Sequence, residues 1–253
     1  MSSDPNPYAS PDFSAGAPPI ATGTSRPSGP PFESGHQRAV LAMGMLAIGM
    51  VLDLVGIGST YMELDLFKRF QAGREVTELE AEQNDQRQML VRLLQNGTYF
   101  ITAIMFLMWF HRVHRNLRSL GAQRLKFSPG WAVGGFFVPF LNLVRPYHVM
   151  KEVREGSDPR TLGGSASVGS SLVGLWWTGC IIMGIISRIS FRMSWNAEQI
   201  PAMVAADQVA LVADLVSIPA AILAILVVRG IDADQQTRHD LMNPGSAGTM
   251  PGF

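Results

Sequence analysis

Four apolar runs dominate the chain, at about 38–61, 89–110, 168–189 and 205–228. Each has about twenty residues or more, and at a rise of about 1.5 Å per residue such a helix crosses the ~30 Å hydrocarbon core of a bilayer. The pattern predicts four transmembrane helices. In the first, Gly49, Asp53, Gly56 and Thr60 fall on one helix face, where small residues let a neighbouring helix approach closely. In the second, Gln88, Arg92, Asn96 and Tyr99 share a face. The third carries Trp176, Trp177 and Cys180; the fourth carries Asp207, Asp214 and Pro219, where a kink is expected. Between the first two runs, 62–88 is polar and rich in acids, with Leu64, Phe67 and Phe70 at helical spacing. It reads as helical extensions or a hairpin outside the bilayer, with a solvated face.

A fifth apolar stretch, 127–147, does not fit this scheme. Pro129, Gly130, Gly134, Gly135, Pro139 and Pro146 interrupt it, and Pro139 and Pro146 remove backbone donors. Irregular backbone at membrane depth is tolerated only where protein or a water-filled cavity covers it. Charge decides between a fifth span and a one-sided insert. Arg112, Arg115, Arg118, Arg124 and Lys126 precede the stretch without an acid among them, and Arg145, Lys151, Arg154 and Arg160 follow it. A fifth span would split these basic loops across the membrane, whereas the positive-inside rule favours both in the cytoplasm.

The expected fold class is therefore an all-α integral membrane protein. It has four transmembrane helices plus a central re-entrant or interfacial Pro/Gly-rich segment, and both termini are cytoplasmic. The membrane domain is expected over 36–230. Residues 1–35 are rich in Pro, Ser and Gly and poor in apolar side chains, so they cannot offset their ordering entropy and are expected to be a disordered tail. They lack the basic-then-apolar order of a signal peptide. Residues 231–253 read as a polar, frayed tail.

Composition adds exclusions. The chain is 47% hydrophobic and 16% charged, against about 25% charged in soluble domains. Its formal net charge is +0, so there is no global basic footprint for nucleic acid. Cys180 is the single cysteine and cannot form an internal disulfide. Nucleophile-elbow, phosphate-loop and zinc-protease patterns are absent from the sequence, and His111 and His114 lack a third ligand nearby. No catalytic residue, metal or cofactor is assigned, and an enzyme is not expected.

Depth arithmetic gathers a candidate site. With the expected topology, Asp53 and Asn96 lie about 10 Å, and Asp214 about 13 Å, below the outer ends of their helices, with Arg92 shallower. A cluster of Asp53, Arg92 and Asn96 is expected, with Asp214 near enough to join. Intramembrane ionisable groups face the bundle interior and find partners. Two readings stay open: a proton or cation site, or a polar pair that fixes helix register. A second candidate lies on the cytoplasmic side, where Asn142, Arg145 and Tyr147 end the central stretch and Arg118 precedes it. Arg145 suits bidentate contact to the phosphate of an anionic lipid. The alternative is that Asn142 and Arg145 bind carbonyls freed by Pro139 and Pro146.

The most specific residues lie in the central third. They are Trp109, Arg115-Asn116-Leu117-Arg118, Gly121-Ala122, Phe127-Ser128-Pro129-Gly130-Trp131-Ala132-Val133-Gly134, and Phe137, Pro139, Asn142 and Arg145-Pro146-Tyr147. In these the chain resembles the bacterial membrane proteins grouped as domain of unknown function 4328, over about 41–229. It departs from their pattern at Gly135 and Phe136, where such proteins often carry Trp. The resemblance implies a multi-span protein of a bacterial inner membrane and brings no activity, substrate or catalytic residue. The expected function is a structural or partner-scaffolding membrane module; the alternative is a small transporter or channel-like protein using Asp53 and Asp214. The bilayer, including anionic lipids, is the expected partner. Protein partners and oligomeric state are left open by the sequence.

Overall fold

The structure, a computed structural model, describes residues 30–122, 125–162 and 171–244. Among these residues it is entirely helical, without strands. The four long helices are α1 (His36–Gln71), α2 (Glu78–Ser119), α5 (Ser171–Trp195) and α6 (Ile200–Met242), and each is long and apolar enough to cross a membrane. Between α2 and α5 lie the short helix α3 (Pro129–Gly134), a 3₁₀ turn at Leu141–Leu143, α4 (Arg145–Ser157) and a second 3₁₀ turn at Pro159–Thr161. The expected tail falls outside the described residues over 1–29, as do 163–170, where the third span was expected to begin, and 245–253.

Three helices are longer than the apolar runs foretold. α1 has 36 residues and α2 has 42, about 54 and 63 Å at helical rise, so their joined ends project beyond a bilayer as a helical hairpin. The hairpin is set by local chemistry. Gly73 at φ +70° ends α1 in a left-handed conformation that costs a side-chain-free residue little. Thr77 and Glu80 then form a reciprocal capping box that starts α2.

α1 packs along both α2 and α6, and α6 packs along α5, whereas no comparable helix packing joins α2 to α5. The order across the domain is therefore α2–α1–α6–α5, with a gap between the outer pair. At one end of this gap aromatic rings close it. Phe106 of α2 meets Trp176 of α5 with centroids 5.8 Å apart, and Phe136 lies edge-on to Phe110 and Trp177.

The same end carries the whole central segment. α3 has 6 residues, about 9 Å, far short of a span. The Trp177 indole donates to the Leu143 carbonyl at 2.8 Å and ties the turn to α5. Phe140 sits at φ +64° inside a tight turn closed by the Leu141 amide donating to the Pro139 carbonyl at 2.8 Å, a γ-turn geometry rare for a bulky residue. Phe140 is 85% exposed, and Trp131, Phe137 and Val144 are also exposed. Apolar groups on an irregular backbone at the end of a bundle suit the interfacial form of the expected segment rather than one buried among the spans.

Beneath the segment, Trp109, Phe110, Val113 and Leu117 of α2, Met150 and Val153 of α4, and Val228 and Ile231 of α6 form the fully buried core. The expectation of a frayed tail from residue 231 is corrected here. α6 continues to Met242 because Ile231, Gln235 and Arg238 recur on one face and are buried. Gln235 donates to the Val113 carbonyl (2.8 Å) and Ser157 Oγ (3.0 Å) and accepts from Asn116 Nδ2 (3.1 Å). Arg238 donates to the carbonyls of Leu120 and Asp158 and to Thr161 Oγ1. Arg160, hydrogen-bonded to Asp158, holds that carboxyl below the usual carboxylate range. Residues just before α1 join this end as well: Arg112 pairs with Glu33, and Phe32 stacks on His239.

Candidate functional site

At the level of Asp53 the small face of α1 does what its pattern foretold. Asp53, Gly56, Ser59 and Thr60 are buried against the neighbouring helices. Asp53, 2% exposed, is met by three neutral donors: Tyr99 Oη at 2.8 Å, Gln95 Nε2 at 3.3 Å, and the Ser217 hydroxyl. Ser217 also lies 2.8 Å from the Asp214 carbonyl, and its single proton serves one acceptor at a time. Gln95 Nε2 reaches Asp214 Oδ1 at 3.2 Å as well. One amide therefore bridges two carboxylates from different helices, and among the described residues neither carboxylate has an ion-pair partner.

The expected cluster is thus corrected in two members. Asp53 and Asp214 do come together, but Gln95 links them, not Arg92 or Asn96. Arg92 turns to α6 and pairs with Asp207 at 3.3 Å. Asn96 is exposed and folds back onto the Arg92 carbonyl at 2.8 Å. The reason is helical phase. Gln88, Gln95 and Tyr99 recur at seven and four residues and line the face toward α1, and Asn96 stands one residue around from it. Gln95 and Ser217 are the members that the sequence reading missed. Gln95 was discoverable as the residue four before Tyr99; Ser217 gave no signal beyond its small size.

Nearer the hairpin, further polar groups continue the same seam. Glu63 accepts from Asn84 Nδ2 at 3.3 Å and from Gln88 Nε2, so it belongs to the helix interface rather than a solvated loop. Asp207 is 6% exposed, and its Oδ2 receives no donor from the described residues. A buried acceptor of this kind takes its donor from outside the described side chains, as water, a proton or a cation.

Two cavities meet at this layer. A polar crevice of about 790 Å³ opens between α2, α5, α6 and the hairpin end of α1, with Glu63, Arg92, Gln95, Asp207 and Asp214 in its wall. An apolar cavity of about 410 Å³ extends the other way to Phe136 and Trp177, with Asp53 at its margin. Tyr99 lines both.

The second candidate is more dispersed. Arg145 lays its guanidinium over the Phe127 ring, 4.8 Å from the centroid. Asn142 and Arg118 are exposed and Tyr147 is half-buried. Among the described residues no hydrogen bond or ion pair joins Arg118 to Asn142, Arg145 or Tyr147, and neither Asn142 nor Arg145 donates its side chain to a freed carbonyl. Gly135 leaves room for the Arg145 stem: a Cβ there would stand 2.6 Å from Arg145 Cγ.

Comparison with known proteins gives one match. A family model described as "Domain of unknown function (DUF4328)" matches residues 72–233, which takes in α2 to most of α6 and leaves α1 outside. No curated protein and no solved structure matches the chain.

Proposed function

The chain belongs to the DUF4328 family of domains of unknown function, and from that premise we propose that this multi-pass membrane protein is a small transporter-like module that takes up a proton or a cation at Asp53 and Asp214. The supporting observation is the polar crevice that reaches Asp214 from the hairpin end. A dry, fully packed bundle would have favoured the scaffolding reading; an opening lined by carboxylates favours transport. Carboxylates outnumber cations in its wall, and Arg92 is already paired. The unmatched charge draws in a cation, and the neutral donors around Asp53 hold that carboxylate in place without a fixed counter-ion.

Orientation follows from charge in this reading. The end bearing Arg112, Arg115, Arg118, Lys126, Lys151 and Arg154 faces the cytoplasm, as do both termini. The hairpin and the mouth of the crevice face outward, across a bacterial inner membrane. At the basic end, exposed aromatics and Arg145 rest among headgroups, with anionic lipids as neighbours. No catalytic step is assigned.

Flux tests the proposal. In proteoliposomes, Asp53→Asn and Asp214→Asn made singly are expected to lower proton or alkali-cation flux by more than about tenfold, equivalent to ~1.4 kcal/mol. Flux unchanged in both, with a lowered melting temperature, would instead assign these residues to holding helices in register.

A further inference from the structure

We infer that the site accommodates an organic cation with a hydrophobic body, its charge at the Asp53–Asp214 bridge and its body in the apolar cavity between α2 and α5. The inference rests on the reading that the crevice admits cations, and it specifies which kind.

Three observations carry it. First, the two cavities are arranged end to end and share Tyr99. A hydrated metal ion or a proton needs only the polar half; the apolar half, about 410 Å³, lies within the ~300–1,000 Å³ of pockets that hold organic ligands. Second, the charge is one-sided. Among the described residues Glu63, Asp207 and Asp214 line the polar half, Arg92 in the same wall is paired with Asp207, and the buried Asp207 Oδ2 receives no donor from a described side chain or backbone group. Third, the apolar half is walled by Phe106, Trp176 and Trp177, aromatic surface that suits a hydrophobic body, above all an aromatic one. Phe136 and Phe137 of the central segment close its far end. Because α2 and α5 do not pack along their length, such a molecule reaches the cavity sideways from the bilayer. A lipid acyl chain would fill the apolar half but leave the carboxylates unmatched.

The test uses a pair of ions with the same shape and opposite charge. Full-length protein in phosphatidylcholine nanodiscs is titrated with tetraphenylphosphonium and with tetraphenylborate, against empty nanodiscs. Saturable binding of the cation above the empty-disc level, with none for the anion, is expected. Asp214→Asn, and separately Ala103→Leu and Ala221→Leu, which place bulk in the apolar cavity, should each weaken cation binding by about tenfold, ~1.4 kcal/mol. Cation uptake no greater than in empty nanodiscs overturns the inference, as does equal uptake of both ions, which would mean an unselective acyl-chain pocket. So does binding indifferent to all three substitutions. The outcomes separate from those of the flux assay. Failure here with proton or alkali-cation flux still sensitive to Asp214→Asn removes the organic cation alone. Tetraphenylphosphonium binding with flux insensitive to both Asp53→Asn and Asp214→Asn removes the transport reading and leaves a binding site.

Discussion

Gly56→Ala is expected to lower cation flux by more than about tenfold (~1.4 kcal/mol), while Gly58→Ala, two residues away on the same helix, leaves it unchanged. The two substitutions add the same methyl group and bring the same gain in helix propensity, roughly 1 kcal/mol. They differ in what the methyl meets. At Gly56 a Cβ would stand 2.6 Å from Gln95 Nε2 and 2.8 Å from Asp214 Oδ2; at Gly58 nothing lies within 4 Å. Both atoms crowded at Gly56 are the ends of flexible side chains, so the helix pair yields by moving them rather than by unfolding. Moving them breaks the amide bridge between Asp53 and Asp214. The loss is therefore expected in flux, with the melting temperature of Gly56→Ala close to that of the parent. Equal flux in the two variants would show that the bridge is incidental.

The largest loss of stability is expected from Gln235→Leu, at the opposite end of the domain. Leucine fills a similar space but satisfies none of the three partners of Gln235. Ser157 and Asn116 are almost fully buried; Asn116 keeps its two bonds to the Glu33 backbone, donating to the carbonyl at 2.8 Å and accepting from the amide at 3.5 Å, but loses its side-chain partner. A buried polar group left unpaired costs about 1–3 kcal/mol. The total is about 3 kcal/mol, or roughly 6–12 °C in melting temperature for a domain of this size. A thermal-shift measurement in detergent checks it, and a melting temperature within ~2 °C of the parent would mean that water replaces the amide. Because Gln235 joins α2, α4 and α6, the effect also tests whether the central segment is a structural clamp on the basic end.

The sequence made the large elements legible because bilayer thickness fixes the length of an apolar run. It also placed the central segment, since Pro139 breaks regular helix and Pro146 can stand only in a first helical turn, where α4 begins, while the charge pattern forbids a crossing. What it hid were helix ends and partner choice. The extension of α1 to Gln71 is the helical extension expected of the polar 62–88 stretch; hydropathy also falls at 228, yet α6 continues to Met242, because Gln235 and Arg238 are buried against other helices rather than against lipid. At the site, depth alone brought Asp53 and Asp214 together. Depth does not give rotation about the helix axis, and a step of one residue, about 100°, separates Gln95 from Asn96. Charge attraction suggested Arg92 for Asp53, whereas the geometry gives Arg92 to Asp207 and gives Asp53 three neutral donors.

For a cation to reach the site, water must enter from the hairpin end as far as Asp214. Cys180 is the single cysteine, so Cys180→Ala provides a clean background for accessibility mapping in sealed vesicles of both orientations. Ser187→Cys and Ala213→Cys report on the crevice, Leu54→Cys on an exposed apolar position of α1 that would face lipid, and Glu78→Cys on the hairpin. A membrane-impermeant cationic thiol reagent is predicted to modify Ser187→Cys and Ala213→Cys from the same side as Glu78→Cys and from that side alone, with Leu54→Cys unreactive throughout. Crevice cysteines unreactive from both sides while Glu78→Cys reacts would show a dry bundle, and would contradict the account.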